Sequence, residues 1–408
     1  MTGLAGKSNR QNPIPEHAVF WKRPAVAFIS ALCVTASACS ETSTTGTSTT
    51  TNSFPGVTQA LNIDLSQLSN YANPAYPVHY DAQARNPDNT PAGNPVTDRG
   101  ATLGRVLFHD TQLSINNTKS CASCHAANIG FTDAARFSVG FDGAGTTTAH
   151  AMRLANARFY GPGDAFWDKR AASLEAQSTQ PIQNAVEMGF DASHGGIAAL
   201  ITRMKGLTYY PELFTFVYGD ANITEDRIQR AVAQYVRSIV SVDSKFDQGF
   251  TQVYNAQVPD RGLNAPFPVL TAQENRGKQL FVQPPQQGGA GCQACHAAPT
   301  FALTGNSRSN GLDAGETRIF KSPSLKNVAV TGPYMHDGRF ASLDQVVEHY
   351  VSGIQDGPAL DQRLRGPNGQ PQRLQLSADD KAALVAFLGT LTDNSVVTDK
   401  KFSDPFKH

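Results

Sequence analysis

The chain has no excess of charge of either sign and, after residue 39, no long hydrophobic run. Lys+Arg and Asp+Glu both number 34 among 408 residues. This balance excludes the overall basic surface with which proteins bind nucleic acid. The lack of a long apolar run after residue 39 excludes a transmembrane helix in the mature chain. A chain of this length can still form two domains with separate cores.

Cysteine is scarce, and four of the 6 residues fall into two copies of the motif CxxCH. The copies are Cys121-Ala-Ser-Cys124-His125 and Cys292-Gln-Ala-Cys295-His296. Chance is a poor explanation, since this composition would give one accidental copy in roughly one of five hundred chains. The two thiols of CxxCH can form thioether bonds to haem vinyl groups while the adjacent histidine ligates the iron. We therefore expect two covalent c-type haems.

Two other cysteine chemistries are alternatives. A thiol–disulfide exchange site needs CxxC but not the histidine after it, and a zinc site could draw four ligands from two CxxC pairs. Neither explains why His125 and His296 both follow the motif directly. Haem attachment accounts for the cysteines and the histidines together.

Residues 1–39 are typical of an export signal. Two basic residues precede an apolar run from Pro24 to Ala38, which is too short to span a bilayer comfortably. We therefore expect export to the periplasm. The chain around Cys39 resembles a lipoprotein cleavage site, which would place a lipid anchor there, although Ala36 stands where such sites usually have Leu. Ordinary cleavage after a small-residue pattern is the alternative.

The surroundings of the two CxxCH motifs match each other in order and approximate spacing. The matching pairs are Gly104–Phe108 with Gly277–Phe281, Leu154–Asn156 with Leu325–Asn327, and Trp167–Glu175 with His336–Asp344. We interpret them as two cytochrome c-like haem domains that arose by internal duplication. Residues 40–60 are assigned to a Thr/Ser-rich linker, residues 61–262 to the N-terminal domain and residues 263–408 to the C-terminal domain.

The predicted fold is mainly α-helical, with long loops. Thr271 and Glu274 form a capping box for a helix that ends near Phe281, and Ser377 is predicted to cap a last helix with apolar residues at helical spacing. Loops rich in Gly, Pro and Asn, such as residues 86–96, connect the helices. Such loops would clamp a porphyrin rather than form sheets.

Further motifs extend the pattern beyond CxxCH. They are Leu113-Ser114, Phe166-Trp-Asp-Lys-Arg170, Pro181-Ile-Gln-Asn184, Glu187-Met-Gly189 and Gly332-Pro-Tyr-Met-His-Asp-Gly338. With them, the chain from about residue 97 onward resembles the bacterial di-haem cytochrome c peroxidase family, which includes the MauG-type enzymes. The resemblance implies that the first haem, on His125, reacts with peroxide. It implies that the second haem, on His296, receives electrons from outside.

The resemblance also assigns three residues to catalysis. Glu187 and Gln177 match the distal-pocket carboxylate and amide of the family, and Trp167 matches the tryptophan between the two haems. A positioned carboxylate can move a proton between the two oxygens of peroxide, so Glu187 is the candidate acid and base. Structural roles are the alternatives: a solvated carboxylate for Glu187, a surface residue for Gln177 and a core aromatic for Trp167.

The second haem shows a departure from typical members, which place a methionine ligand where this chain has Tyr350. MauG-type enzymes have a tyrosine ligand there. Of the 5 methionines, only Met335 follows the second CxxCH, in the loop before His336. The resemblance therefore implies that Tyr350 is the sixth ligand of the second iron. A phenolate would stabilise ferric iron there, whereas a thioether favours ferrous iron. The alternative is a structural Tyr350, with Met335, His336 or His349 as the ligand.

Two further departures concern the first haem and a metal ion. Typical members guard the resting first haem with a histidine, but Phe141 lies near that place, so we expect this haem to be open without reductive activation. The family also binds calcium through an asparagine side chain and the carbonyls of a Thr-x-Pro segment. Thr331 and Pro333 match that segment, whereas His150 replaces the asparagine, and calcium prefers oxygen ligands.

Three functions follow as hypotheses. The first is a periplasmic peroxidase that reduces hydrogen peroxide to water with electrons from a small c-type cytochrome or a cupredoxin. The second is a MauG-like enzyme that oxidises aromatic residues of a partner protein through a high-valent two-haem state. The third is a plain di-haem electron carrier. The resemblance also implies a homodimer, and a lipid at Cys39 would be the membrane contact.

Overall fold

The computed structural model describes residues 54–408. The predicted export signal, Cys39 and linker residues 40–53 lie outside the described residues. The described part contains thirteen α-helices and isolated β-bridges but no β-sheet, which confirms a mainly helical fold. The helices are α1 (Pro55–Ala60), α2 (Ala82–Arg85), α3 (Asp98–His109), α4 (Cys121–Cys124), α5 (Leu174–Ser178), α6 (Gly196–Gly206), α7 (Tyr209–Tyr218), α8 (Glu225–Ser238), α9 (Lys245–Val253), α10 (Ala272–Val282), α11 (Leu343–Glu348), α12 (Ala378–Gly389) and α13 (Asn394–Thr398).

The predicted caps form as expected. Glu274 donates its backbone N–H to Thr271 Oγ1 over 3.1 Å, and Thr271 N–H donates back to the Glu274 carboxylate over 2.7 Å at the start of α10. Ser377 caps α12. The prediction that α12 is the last helix is wrong, because Asp393 caps a further helix, α13. That helix has five residues and is too short to show a helical repeat in the sequence.

Helix α1 begins within the segment that the sequence assigns to the linker. The carboxylate of Glu212 on α7 accepts the backbone N–H groups of Gly56 and Val57 over 3.0 and 2.9 Å. These are N–H groups of the first turn, which have no partner inside a helix. Val57 is also buried against the core. Capping from α7 and this burial hold residues 55–60 in a helix rather than in an extended tether.

Buried apolar side chains form two large clusters, one beside each CxxCH motif. The first contains residues of α3 and α6 to α8 and contacts Cys121. The second contains residues of α9, α10 and α12 and contacts Cys292. Two segments lie apart from their sequence neighbours: Phe246 of α9 packs in the second cluster, and Phe402 near the C-terminus packs in the first. The domain boundary between residues 262 and 263 stays a prediction.

Each cluster contains a pair of helices that cross at a glycine. A Cβ atom on Gly104 of α3 would overlap the carbonyl oxygen of Ala231 on α8. A Cβ atom on Gly277 of α10 would overlap the carbonyl oxygen of Ala383 on α12. Only glycine permits this approach of two backbones. The two glycines occupy matching places before the two CxxCH motifs.

Among residues 54–408, no helix combines the length and the apolar character needed to cross a membrane.

Candidate functional site

Both CxxCH motifs fold into tight turns that bring the histidine back over the first cysteine. In the first motif this turn is α4, and in the second it is the 3-10 turn Cys292–Ala294. His125 donates its backbone N–H to the Cys121 carbonyl, and His296 does the same to Cys292, both over 3.0 Å. The four cysteine thiols of the motifs are unpaired. Each motif therefore brings two thiols and one imidazole together.

A backbone carbonyl orients each motif histidine. His125 Nδ1 lies 3.1 Å from the Phe131 carbonyl oxygen, and His296 Nδ1 lies 3.3 Å from that of Phe301. An N–H at Nδ1 leaves Nε2 free to ligate iron, the usual arrangement of a ligating histidine. Burial lowers the pKa of His125, and it lowers the pKa of His296 to about 4. Both imidazoles are therefore neutral at pH 7, which is the form that binds a metal.

A cavity of about 1180 Å³ lies against the second motif. It exceeds the roughly 300–1,000 Å³ of ordinary small-molecule pockets and so has room for a macrocycle. Cys292, Cys295 and His296 line it together with Tyr350 and Met335. Free thiols, an oriented neutral histidine and this space fit a covalently bound haem.

The zinc alternative has no support in the described part of the chain. No group of three or more His, Cys, Asp or Glu side chains among residues 54–408 is arranged to hold a metal ion. A structural zinc site needs four such ligands at tetrahedral spacing. The two CxxC pairs do not converge into one site.

Glu187 lies within electrostatic range of the first CxxCH motif. Burial is the main cause that raises the pKa of Cys121 and of Cys124, and the nearby Glu187 carboxylate contributes to both shifts. Burial also raises the pKa of Glu187 itself, against a smaller opposing effect of Arg170. A carboxyl group with a raised pKa close to a haem-attachment site is suited to hold and release a proton.

Two other residues expected near the first haem have different surroundings. Gln177 lies in α5, and its side chain forms no hydrogen bond with another described residue. Phe141 contacts the segment that carries Glu187: its backbone N–H donates to the Val186 carbonyl over 3.2 Å, and its ring fills the space that a Cβ atom on Gly189 would need. Phe141 therefore borders the same region as Glu187. The open first haem stays a prediction.

Trp167 lies where the two halves of the chain meet. Its indole Nε1–H donates to the His150 carbonyl over 2.7 Å, and its own carbonyl accepts the backbone N–H of Lys321 over 2.8 Å. Trp167 also lines the cavity of the second motif. The ring of His150 lies 3.2 Å from Thr132 Oγ1, in the segment that follows the first motif. Trp167 is thus linked through His150 to the first site while it borders the second.

Tyr350 reaches the second cavity from an unusual turn. It lies in a π-helical turn, His349–Gly353, that continues α11. Such turns are frequent at functional sites because the extra residue redirects side chains. Burial raises the pKa of Tyr350 to about 12. Of the three alternative ligands for the second iron, Met335 and His336 also line the cavity. The ring of His349 hydrogen-bonds instead to the Asn310 carbonyl at 3.1 Å.

Two residues of the second cavity were not identified from the sequence. Arg153 comes from the first half of the chain, and its Nε donates to the Ser324 carbonyl. Arg153 precedes Leu154–Asn156 just as Ser324 precedes Leu325–Asn327. The internal repeat therefore aligns Arg153 with Ser324 and could have identified the two residues. Asn310 is a single polar residue in a loop, and the sequence around it gives no signal.

The described residues do not favour calcium. His150 Nδ1 lies 3.2 and 3.3 Å from the carbonyl oxygens of Ala135 and Arg136, where a ring N–H would donate. Pro333 lines a shallow cavity of about 570 Å³ whose lining holds two arginines and no carboxylate. Calcium is usually bound by carboxylate and carbonyl oxygens. The calcium site at Thr331 and Pro333 stays a prediction.

Two oriented CxxCH turns, in a helical fold that shows no sheet over residues 54–408, define a c-type cytochrome with two haem-attachment sites. Comparison with known proteins gives the family. A family model described as di-haem cytochrome c peroxidase matches residues 98–254. The chain is 31% identical over 328 residues to the methylamine utilization protein MauG of Methylorubrum extorquens, covering 76% of this chain and 83% of that protein. The chain therefore belongs to the di-haem cytochrome c peroxidase family that includes MauG.

Other relatives and solved structures agree with this family. The chain is 31% identical over 315 residues to cytochrome c551 peroxidase of Nitrosomonas europaea, covering 72% of this chain and 79% of that one. A MauG-like protein associated with microbial copper homeostasis superposes with a TM-score of 0.64 at 28% identity, covering 82% of this chain and 99% of its own. The diheme peroxidase BthA of Burkholderia thailandensis shares the fold, with a TM-score of 0.59, 20% identity and coverage of 76% and 91%.

Proposed function

We propose that this protein is a periplasmic peroxidase that reduces hydrogen peroxide to water, with electrons from a small c-type cytochrome or a cupredoxin. The observation that carries the proposal is the half-buried Glu187, whose pKa is raised by its partial removal from solvent and whose charge acts on the thiols of the first CxxCH. Relatives of comparable identity include cytochrome c551 peroxidase. Haem bound at the two motifs would supply the iron that reacts with peroxide and the iron that accepts electrons.

The protein side chains have separate tasks in this proposal. Glu187 would take a proton from one oxygen of peroxide and deliver it to the other, which leaves as water when the O–O bond breaks. Bound haem would supply the two electrons that the remaining oxygen takes up. The Phe131 and Phe301 carbonyls hold the two ligating histidines in one orientation. Trp167, linked to His150 and exposed to the second cavity, lies on the route between the two sites.

Steady-state turnover tests the proposal. The holoprotein, supplied with reduced c-type cytochrome and hydrogen peroxide, should oxidise two cytochromes for each peroxide consumed. Consumption of no peroxide under these conditions would contradict the proposal.

A MauG-like oxidation of a partner protein is the second candidate function. Tyr350 favours it, since it lines the second cavity and is matched to the tyrosine ligand of MauG-type enzymes. The 31% identity to MauG favours it as well. Peroxide added to the diferric protein without a donor should then give a long-lived oxidised spectrum. A plain electron carrier is the third candidate, and failure of carbon monoxide to bind the reduced protein would support it.

We also propose that the two haem units arose by duplication. The crossings at Gly104 and Gly277 support this origin. So do two reciprocal hydrogen bonds between the halves: His150 N–H donates to the His336 carbonyl over 2.9 Å, and Lys321 N–H donates to the Trp167 carbonyl over 2.8 Å. Export, a lipid on Cys39 and a homodimer remain proposals from the sequence and the resemblance.

A further inference from the structure

One side-chain amide contacts two of the candidate sixth ligands of the second haem, Tyr350 and Met335. Asn310 Nδ2 lies 3.4 Å from Tyr350 Oη and 3.4 Å from Met335 Sδ. The two acceptor atoms are therefore within twice that distance of each other. Both residues line the cavity that His296 faces. The phenol and the thioether thus share one donor group at one site.

The Asn310 backbone is fixed independently of these contacts. Its carbonyl oxygen lies 3.1 Å from Nε2 of His349, the residue before Tyr350, and His349 is buried. The preceding residue, Ser309, donates its backbone N–H to the Ala359 carbonyl over 2.9 Å. The Asn310 amide is therefore a positioned donor rather than a mobile surface group.

The two acceptors respond differently to an amide donor. The amide of asparagine offers two N–H groups, a phenolate oxygen is a strong acceptor, and a thioether sulfur is a weak one. A hydrogen bond from outside the ligand shell orients a ligand and tunes the metal. Donation to the phenolate oxygen stabilises its negative charge and so favours the deprotonated phenol, the form that ligates ferric iron. The same amide stabilises a thioether ligand much less.

We propose that Asn310 is a positioning residue that selects Tyr350 over Met335 as the sixth ligand of the second haem in the oxidised protein. The selection rests on the proposed ligation by Tyr350. Asn310 holds Tyr350 Oη in place by one N–H, and the contact of the same amide with Met335 Sδ keeps the thioether away from the iron. Loss of the amide removes both effects and moves the preference toward Met335.

The experiment compares the wild-type holoprotein with Asn310→Leu, which has a similar shape but no N–H donor. Asn306→Leu is the matched control, since Asn306 is exposed on the same loop and its side chain forms no hydrogen bond with another described residue. Three properties are measured: the low-temperature EPR spectrum of the ferric protein, the methionine-to-iron charge-transfer band and the reduction potential of the second haem. Haem content per chain confirms that both sites are loaded.

We expect the tyrosinate EPR signal of the wild type to weaken in Asn310→Leu and the methionine band to appear. A tenfold loss of ferric over ferrous preference, the lower end of the effect of such outer residues, raises the potential by about 59 mV for a one-electron couple. The double variant Asn310→Leu with Met335→Leu should lose the methionine band. Where Asn310→Leu does not load both haems, the smaller Asn310→Ala, which also lacks a donor, carries the same measurements.

The outcomes separate this proposal from the one it rests on. A wild-type tyrosinate signal that persists in Asn310→Leu, with an unchanged potential, overturns the role of Asn310 alone. A wild-type spectrum without a tyrosinate signal, unaltered by Tyr350→Phe, overturns ligation by Tyr350 and the selection with it. A potential that rises equally in Asn306→Leu also overturns the role of Asn310. Peroxidase turnover is measured separately and does not decide either question.

Discussion

The indole N–H of Trp167 donates to the His150 carbonyl over 2.7 Å, and the His150 backbone N–H donates onward to the His336 carbonyl over 2.9 Å. In the pairing of the two halves, Trp167 and His336 occupy matching positions. The two halves of the chain are therefore joined through matching positions that hold different residues, Trp167 in one half and His336 in the other. An indole on one side and an imidazole on the other make the contact asymmetric, although the backbone pairing is reciprocal.

Replacement of Trp167 by Phe should separate its structural from its electronic role. The variant leaves the His150 carbonyl without its donor, which costs about 1–3 kcal/mol of unfolding free energy. Peroxide turnover should fall by roughly 10–100-fold, since a residue that supports both sites is lost. Trp167→His keeps a ring N–H donor but not the indole. We expect it to recover stability in urea denaturation without recovering turnover, and recovery of both would assign Trp167 a structural role only.

Replacement of Glu187 by Gln should remove activity without loss of stability. The carboxylate must accept a proton, so wild-type turnover should fall as the pH drops through the pKa of Glu187, which burial raises above its ordinary value. Glu187→Gln should lose roughly 10²–10⁴ of turnover and this acid limb. The pH dependence of turnover is the measurement.

Stability gives an independent check on Glu187. A carboxyl group whose pKa is raised in the fold binds protons more tightly in the folded than in the unfolded chain, so it destabilises the fold at neutral pH and less so at lower pH. Glu187→Gln should therefore unfold at the same or a higher urea concentration than the wild type at neutral pH. Glu348→Gln, at an exposed glutamate paired with Lys381 over 2.9 Å, is the control and should keep full turnover. A Glu187→Gln variant with normal turnover would exclude the carboxylate from proton transfer.

The parts predicted from the sequence are those set by short-range patterns. The turns of CxxCH and the cap formed by Thr271 and Glu274 depend on residues whose spacing is visible in the chain. The role of Glu187 came from the family resemblance and stays a prediction. The family resemblance supplied the role of Tyr350, but the π-helical turn that carries it has no sequence signature.

The parts that could not be predicted depend on partners far apart in the chain. The Asn310 amide meets Met335 and Tyr350 from a loop without a pattern. Phe402 returns to the first core after the second haem unit is complete, so its destination depends on packing rather than on local sequence. In both cases a single side chain gains its partner only when distant segments come together.

The buried ion pair of Asp247 with Lys326 also joins residues that are far apart in the chain. It leads to a prediction about stability. Lys326 contacts the Asp247 carboxylate, and His79 Nε2 lies 3.1 Å from its other oxygen. All three side chains are buried. Asp247→Asn leaves Lys326 charged and without its counter-ion, and we expect a loss of about 3–5 kcal/mol in unfolding free energy. Urea denaturation measures it, with exposed Asp344→Asn as the control.

The pH dependence of this network follows from Asp247. Burial alone would raise the pKa of Asp247, but Lys326 and the hydrogen bonds from His79 and Ser244 outweigh it and lower the pKa. A carboxyl group with a depressed pKa contributes stability above its unfolded pKa, and that stability is lost as the pH falls through the folded value. Wild-type stability should therefore decline below about pH 4, whereas Asp247→Asn should lack this part of the decline. Equal acid sensitivity in both proteins would contradict the assignment.

Replacement of Arg153 should shift the reduction potential of the second haem in the direction opposite to the shift caused by replacement of Asn310. It lines the second cavity, and burial lowers the pKa of its guanidinium to about 10, which leaves it charged at pH 7. A cation beside the iron disfavours the more positive ferric state, so Arg153→Met should lower the reduction potential, whereas Asn310→Leu should raise it. A tenfold shift in the ferric to ferrous ratio corresponds to about 59 mV. Arg153→Lys keeps the charge and should stay close to the wild type in a potentiometric titration. If Arg153→Met and Arg153→Lys shift the potential equally, packing rather than charge is what Arg153 contributes.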